Sequence, residues 1–450
     1  MSRRVCCATS HDAPQRSRNI TACAHACCLP QARRDAWPRI AELVEPLLSA
    51  PPQALSDVAP PATLADADSR FVRLLGVDVH YKVAHSHDAA QRGSAGASSS
   101  GAQGGGNDSD DDDGQWGDVL LCLHGFNGST FSFRDVLAPL AAAGAPAGGA
   151  LRAAAFDRPP FGLSSRPRRS ELPPGAPDPY SDAGAVALAR TLLGRLRARR
   201  VVLLGHSAGA PLALALARAL PRAAVAGIVL VSPAVPASSA PRDSFLGRAD
   251  AGTWLRLAAL RLVTSSDAAG AAYVRRQTLR RAAEVRSSRD IGYARKAPAP
   301  QPAVEGYLLP LKAERWDEGT LAQLRAFSAG GALSGGSGPP KPGELDGVPI
   351  LIVQGAEDAI TPAPNAGKLA EALGDACEYV EMPDVGHLPM EEAPDAFNDA
   401  VGPWLRRAMM AATKNEAVTP QRDDKAAVSD APAAADGPLV TGGPAAHWAR

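Results

Sequence analysis

Residues 201–219 constrain the fold more than any other stretch of this chain. Four consecutive apolar residues, Val201–Leu204, run directly into Gly205-His206-Ser207-Ala208-Gly209, and an Ala/Leu-rich segment with helical spacing follows from Ala210 to Ala219. A short, wholly apolar run is the mark of a strand buried on both faces, as in parallel sheets covered by helices. A serine between such a strand and a helix occupies a sharp, strained turn that lifts its hydroxyl above the sheet. Small residues two before and two after it, here Gly205 and Gly209, let the two elements approach without collision.

The alternation recurs along the chain. Phe71–Leu75 and Val77–Val83 flank Gly76 and predict a hairpin, while Val119–Leu123, Arg152–Phe156, Val225–Val231 and Val348–Val353 predict further strands. Glu378–Met382 is expected at a sheet edge, and helical patterns cover residues 131–143, 185–199 and 393–409. Strands interleaved with helices predict an α/β fold around a mainly parallel sheet. Between 235 and 329 the strand pattern gives way to Arg-rich helical segments, which predicts an inserted helical cap, and the Gly/Ser/Pro-rich 330–347 reads as its return linker.

Composition sets the outer limits. Equal numbers of basic and acidic residues, 47 of each, argue against a general nucleic-acid binder or a polybasic membrane binder. No run of about 18 strongly apolar residues occurs, so no transmembrane segment is expected. Forty of the basic residues are Arg, beside 42 Gly and 40 Pro, so the chain is biased toward a few residue types. A single Arg is therefore weak evidence for phosphate binding.

The zero charge is a sum of unequal parts. Residues 1–34 hold six Arg against Asp12, a net +5 that the remainder cancels, and five of the seven Cys (Cys6, Cys7, Cys23, Cys27 and Cys28). An Arg-rich, acid-poor start without an apolar core predicts a transit peptide or disordered leader over 1–37. The expected compartment is the chloroplast, with mitochondrion or cytoplasm as alternatives. Lipidation at the paired cysteines is a rival, whereas a metal site from Cys23, His25, Cys27 and Cys28 lacks the paired arms of zinc modules. Cys122 and Cys377 make no disulfide framework, which suits a reducing compartment. Residues 38–68 read as a linker with room for a short helix. The Gly/Ser-rich 86–117, ending in the acidic run Asp108–Asp113, and the tail 411–450 are expected to be disordered. The folded unit is then 69–234 and 348–410, with the cap 235–329 between them.

A serine hydroxyl is a poor nucleophile until a base takes its proton, and an acid must hold that base in the right tautomer. In a strand–turn–helix architecture these follow in the order Ser, acid, His. Asp358 lies in Gln354-Gly355-Ala356-Glu357-Asp358 after one predicted strand, and His387 in Asp384-Val385-Gly386-His387-Leu388-Pro389 after the next. Both loops fall at the sheet edge that carries Ser207. Glu357 and Asp384 are the rival acids. The negative oxygen of a tetrahedral intermediate needs two donors. The Ala208 N–H is one candidate, and the Phe126 N–H, in His124-Gly125-Phe126-Asn127-Gly128, is the other. His124 is expected to brace its loop.

These motifs together resemble the α/β-hydrolase superfamily over about residues 69–410. Phe156-Asp157-Arg158-Pro159-Pro160-Phe161-Gly162-Leu163-Ser164 is similar to a stretch of the capped hydrolases in which the Asp-Arg pair is structural. Glu305-Gly306-Tyr307, Pro310-Leu311 and Trp316-Asp317 resemble the cap of plant and algal members, most of whose substrates are unassigned. Ser at 207 separates the chain from epoxide hydrolases and haloalkane dehalogenases, which carry Asp there. The resemblance implies a serine hydrolase of carboxylic esters acting on a small-molecule ester or acyl substrate without metal or organic cofactor. The alternatives are acyl transfer, carbon–carbon bond hydrolysis, or ligand reception without turnover. Trp254, Leu255, Tyr273, Tyr307, Leu308 and Trp316 are the expected apolar lining.

Overall fold

The computed structural model describes residues 58–86, 116–146, 149–236, 261–294, 298–328, 340, 344–418 and 440–441. The leader 1–37, most of the acidic insertion, and Trp254 and Leu255 lie outside them. All the described residues except Arg261 and Leu262 belong to one compact unit.

That unit is built on a sheet of β1 (Arg70–Leu74), β2 (Val77–His85), β3 (Gly117–Leu123), β4 (Leu151–Phe156), β5 (Ala198–His206), β6 (Val225–Val231), β7 (Ile350–Gly355) and β8 (Cys377–Met382). Their order is β8-β7-β6-β5-β3-β4-β2-β1, with the two-residue β9 (Val440–Thr441) beside β1. From β4 through β8 every neighbouring pair is parallel, whereas β1 and β2 form an antiparallel hairpin joined antiparallel to β4. The chain steps from β3 to β4 on one side and from β5 onward on the other. The carboxyl ends of β3 and β5 therefore flank a topological switch point, the place where open α/β sheets bind ligands.

The apolar strands serve two cores at once because side chains alternate across a sheet. Val119, Leu121, Val201, Leu203, Ile228, Leu230, Ile350 and Ile352 face one layer, with α2 (Asp182–Arg195), α3 (Gly209–Ala219) and α7 (Ala363–Leu373) packed on them. Leu120, Cys122, Val202, Leu204, Val229, Val231, Leu351 and Val353 face the other, covered by α1 (Leu137–Gly144) and α9 (Pro394–Val418). Burial on both faces is why these strands read as continuous apolar runs. No helix among the described residues is long and apolar enough to cross a membrane.

Between β6 and β7 the described residues form α4 (Asp267–Ser288), α5 (Gln301–Leu308) and α6 (Trp316–Ser328). Ser266 caps α4 through the Ala269 N–H, and Arg289 ends it at a φ of 57°. Val274, Trp316 and Leu321 give these helices a small core of their own, and Arg325 pairs with Asp267 at 2.7 Å. On α5, a Cβ at Gly306 would lie 2.1 Å from the Phe131 ring, so this helix rests directly on the turn that follows β3.

Several expected boundaries move. The helix expected over 131–143 is a 3-10 turn, Thr130–Phe133, followed by α1. Arg197, at a φ of 48°, ends the segment expected as helix to 199, and β5 begins at Ala198. Arg200 thus enters the sheet, where Asp118 receives both ends of its guanidinium at 2.9 and 2.7 Å. The closing helix runs on to Val418 rather than stopping at 409.

Candidate active site

Ser207 follows β5 at a φ of 51°, a left-handed conformation that costs a non-glycine residue free energy. Three backbone bonds hold it there. Its N–H donates to Val231 O at 2.9 Å, and its carbonyl accepts from Ala210 and Ala234 N–H at 3.0 and 3.2 Å. The flanking glycines are sterically required, since a Cβ at Gly209 would sit 2.1 Å from Leu123 O and one at Gly205 2.5 Å from Gly209 O. Gly209→Ala is therefore expected to lower stability by about 3 kcal/mol, as overpacking does. Chemical denaturation checks this, and an unchanged midpoint would contradict the packing.

Asp358 stands beyond the end of β7, buried, with every carboxylate lone pair engaged. Oδ2 accepts from His387 Nδ1 at 2.8 Å, Gln354 Nε2 at 3.0 Å and Thr361 Oγ1 at 2.7 Å. Oδ1 accepts the Ile360 and Thr361 N–H groups, each at 2.8 Å. Burial alone would raise its pKa, but the hydrogen bond and charge of His387, with the Thr361 donors, hold it down at about 2. A carboxylate there makes His387 Nδ1 the protonated nitrogen and leaves Nε2 as the basic one. Of the rival acids, Asp384 is exposed and Glu357 half-buried; neither is hydrogen-bonded to His387.

The loop bearing His387 is held from two directions. The His387 N–H donates to Gly292 O at 2.8 Å, from the segment after α4. The Glu392 carboxylate accepts the N–H groups of Gly386 and Leu388, at 2.8 and 3.0 Å, and that of Ala294 at 2.8 Å. One carboxylate thus ties the histidine loop to the inserted helices. Glu392→Ala is expected to lower kcat roughly 10- to 100-fold with little change in KM, because small misplacements of a reacting group are costly. Equal kcat in wild type and variant would exclude this role.

The loop after β3 approaches Ser207 closely, for a Cβ at Gly125 would lie 2.9 Å from Ser207 Cβ. This brings the Phe126 backbone beside the serine. His124 braces the loop, as expected. Its Nε2 accepts the Arg158 N–H at 3.0 Å, so Nδ1 carries the proton donated to Gly125 O at 2.8 Å. Burial first, then the Arg158 charge, depresses its pKa to about 4 against the pull of Asp157. Ala208 precedes α3, where the first N–H groups have no acceptor within the helix and the helix dipole is positive. Asp157 accepts from His80 Nδ1 and from the N–H groups of Thr130 and Leu163, all at 2.6 Å, and so acts as a buried strut.

Ser207, His387, Gly125 and Phe126 line a cavity of about 950 Å³. The inserted helices supply Tyr307, Leu308 and Trp316 from the expected lining, while Tyr273 packs instead against the small core of those helices. Ser132, Ile360 and Tyr293 also line it, and sequence reasoning missed them. Ile360 stands two residues after Asp358 and Tyr293 within the stretch expected as a cap, but no pattern in the sequence aimed either at the cavity.

Solved structures with this fold include DBJA, at 20% identity and a TM-score of 0.50, covering 78% of this chain and 100% of that one. They also include the haloalkane dehalogenase DatA from Agrobacterium tumefaciens (15%, 0.49, covering 77% and 99%). A meta-cleavage product hydrolase from Pseudomonas fluorescens is similar as well (17%, 0.46, covering 75% and 97%). At 20% identity the likeness to DBJA is one of fold. No curated protein matches the sequence significantly. The model of the Alpha/beta hydrolase family matches residues 120–400, more than half of the chain. The chain belongs to the alpha/beta hydrolase family.

Proposed function

We propose that this hydrolase cleaves carboxylic esters through an acyl-enzyme, with Ser207 as nucleophile, His387 as base and Asp358 as the orienting acid. The observation that carries the assignment is the 2.8 Å Asp358–His387 bond at a cavity that also holds the strained Ser207. Ser207 Oγ attacks the ester carbonyl while His387 Nε2 takes its proton. The Phe126 and Ala208 N–H groups receive the oxyanion. Collapse expels the alcohol, which leaves with the proton from His387. Water then repeats the sequence on the acyl-serine, releasing the acid and free Ser207. Helices α4 to α6 act as the cap over the cavity, and its largely apolar walls suit an acyl chain.

The test is turnover of p-nitrophenyl butyrate by the full chain and by Ser207→Ala, in water and with added short alcohols. Acid release that falls by at least about 10⁴-fold in the variant is the expected result. Equal rates for the two proteins would overturn the assignment. Ester exchange without acid release would favour acyl transfer, and no turnover of any acyl ester would favour a ligand receptor.

A further inference from the structure

One wall of the cavity carries a chain of hydrogen bonds that the ester chemistry does not use. Ser132, on the turn after β3, and Tyr307, on α5, both line the cavity, with their oxygens 2.8 Å apart. The Tyr307 hydroxyl also bonds to Glu391 Oε1. The other oxygen of Glu391 accepts from Arg134 Nη1 at 2.9 Å and from the Tyr293 hydroxyl at 3.1 Å. Glu391 lies on α8 (Pro389–Glu392), and its side chain has no exposed surface. Burial pushes its pKa up, and the Arg134 charge and the hydrogen bonds from Tyr307, Arg134 and Tyr293 oppose that rise. Three donors converging on two oxygens, one of them the Arg134 guanidinium, match an ionised carboxylate, which only accepts.

That fixes the polarity of the chain. Glu391 accepts from Tyr307, so the Tyr307 oxygen accepts from Ser132, and the one proton of Ser132 is committed. What Ser132 Oγ has left to offer the cavity is a lone pair. It lies beside the loop that carries Phe126, for a Cβ on Gly128 would lie 3.2 Å from it, and it shares the cavity with Ser207 and His387. That lone pair is open to a hydrogen-bond donor on a molecule bound in the cavity.

We propose that Ser132 Oγ, oriented by Tyr307 and Glu391, accepts a hydrogen bond from a hydroxyl on the acyl part of the substrate, so that the preferred substrates are hydroxyacyl esters. This rests on the serine-hydrolase assignment and narrows it. Sites built to bond a substrate hydroxyl reject the analogue that lacks it, because the protein group is left unpaired.

The experiment compares kcat/KM for p-nitrophenyl 2-hydroxybutyrate and 3-hydroxybutyrate with that for p-nitrophenyl butyrate, each corrected for spontaneous hydrolysis. The wild-type protein is expected to favour at least one hydroxylated ester by tenfold or more. Ser132→Ala should cut that ratio at least tenfold. Tyr307→Phe, which frees the Ser132 proton, should shift it in the same direction. A wild-type ratio near one, or a ratio that survives Ser132→Ala while both rates fall alike, overturns the proposal and leaves the hydrolase assignment standing. Turnover of none of the three esters, with no Ser207-dependent covalent labelling, overturns the assignment and the proposal together.

Discussion

Asp358→Asn is expected to lower kcat for ester turnover about 10⁴-fold with KM little changed, the size seen when a triad acid becomes its amide. The amide oxygen can keep the Ile360 and Thr361 N–H donors that Oδ1 now accepts. The amide nitrogen must then take the place of Oδ2, facing His387 Nδ1, Gln354 Nε2 and Thr361 Oγ1. A donor there stabilises the histidine tautomer with its proton on Nε2, which cannot take the serine proton. The fold should survive, since the shape and the Ile360 and Thr361 N–H bonds are kept. Steady-state kinetics beside a thermal melt separates the two effects. A loss below tenfold, with an unchanged melt, would remove Asp358 from the mechanism.

The second large effect is on stability in mild acid. His206 and His124 are both buried, with pKa values depressed to about 3 and about 4. For His206 the cause is burial first, then repulsion from His387; its Nε2 donates to the His387 carbonyl at 2.9 Å. In the unfolded chain both titrate near 6.5. Below that value the unfolded state binds protons that the folded state refuses, so stability is full above about pH 6.5 and drains as pH falls toward 4 and 3. Each tenfold loss of proton affinity on folding corresponds to about 1.4 kcal/mol, so the two rings together account for several kcal/mol. Urea unfolding between pH 7.5 and 5 should show this decline, and His206→Gln, which cannot protonate, should flatten it. An unfolding free energy constant over that range would contradict the protonation states assigned to these rings.

Much of the site was legible because its parts are local. The apolar strands show as unbroken runs since both faces are buried, and the turn at Ser207 shows because its glycines are sterically required within five residues. Asp358 and His387 follow from strand order, which places them at one sheet edge. The elements that escaped depend on partners distant in the chain. The Arg-rich end of the helix expected over 185–199 belongs partly to β5, where Asp118, 82 residues away, neutralises the adjoining Arg200. Helix α7 has a thin buried stripe, Ala366 and Leu369, and so little apolar signal. Glu391 and Glu392 look like an ordinary acidic pair at the start of a helix. Only the folded chain sets one against Tyr307, 84 residues away, and the other against Ala294, 98 residues away. The Arg-rich helical pattern between 235 and 329 raised the prospect of a cap, but held nothing about how the inserted segment is tied to the histidine loop.

Covalent capture of the nucleophile tests the central claim most directly. The full chain, treated with a fluorophosphonate probe near neutral pH, should gain one adduct, mapped by peptide mass spectrometry to Ser207. Ser207→Ala should gain none there, and His387→Ala should react far more slowly. Labelling of the wild-type protein at another residue, or equal labelling of wild type and Ser207→Ala, would contradict the assignment of Ser207, His387 and Asp358 as one catalytic unit.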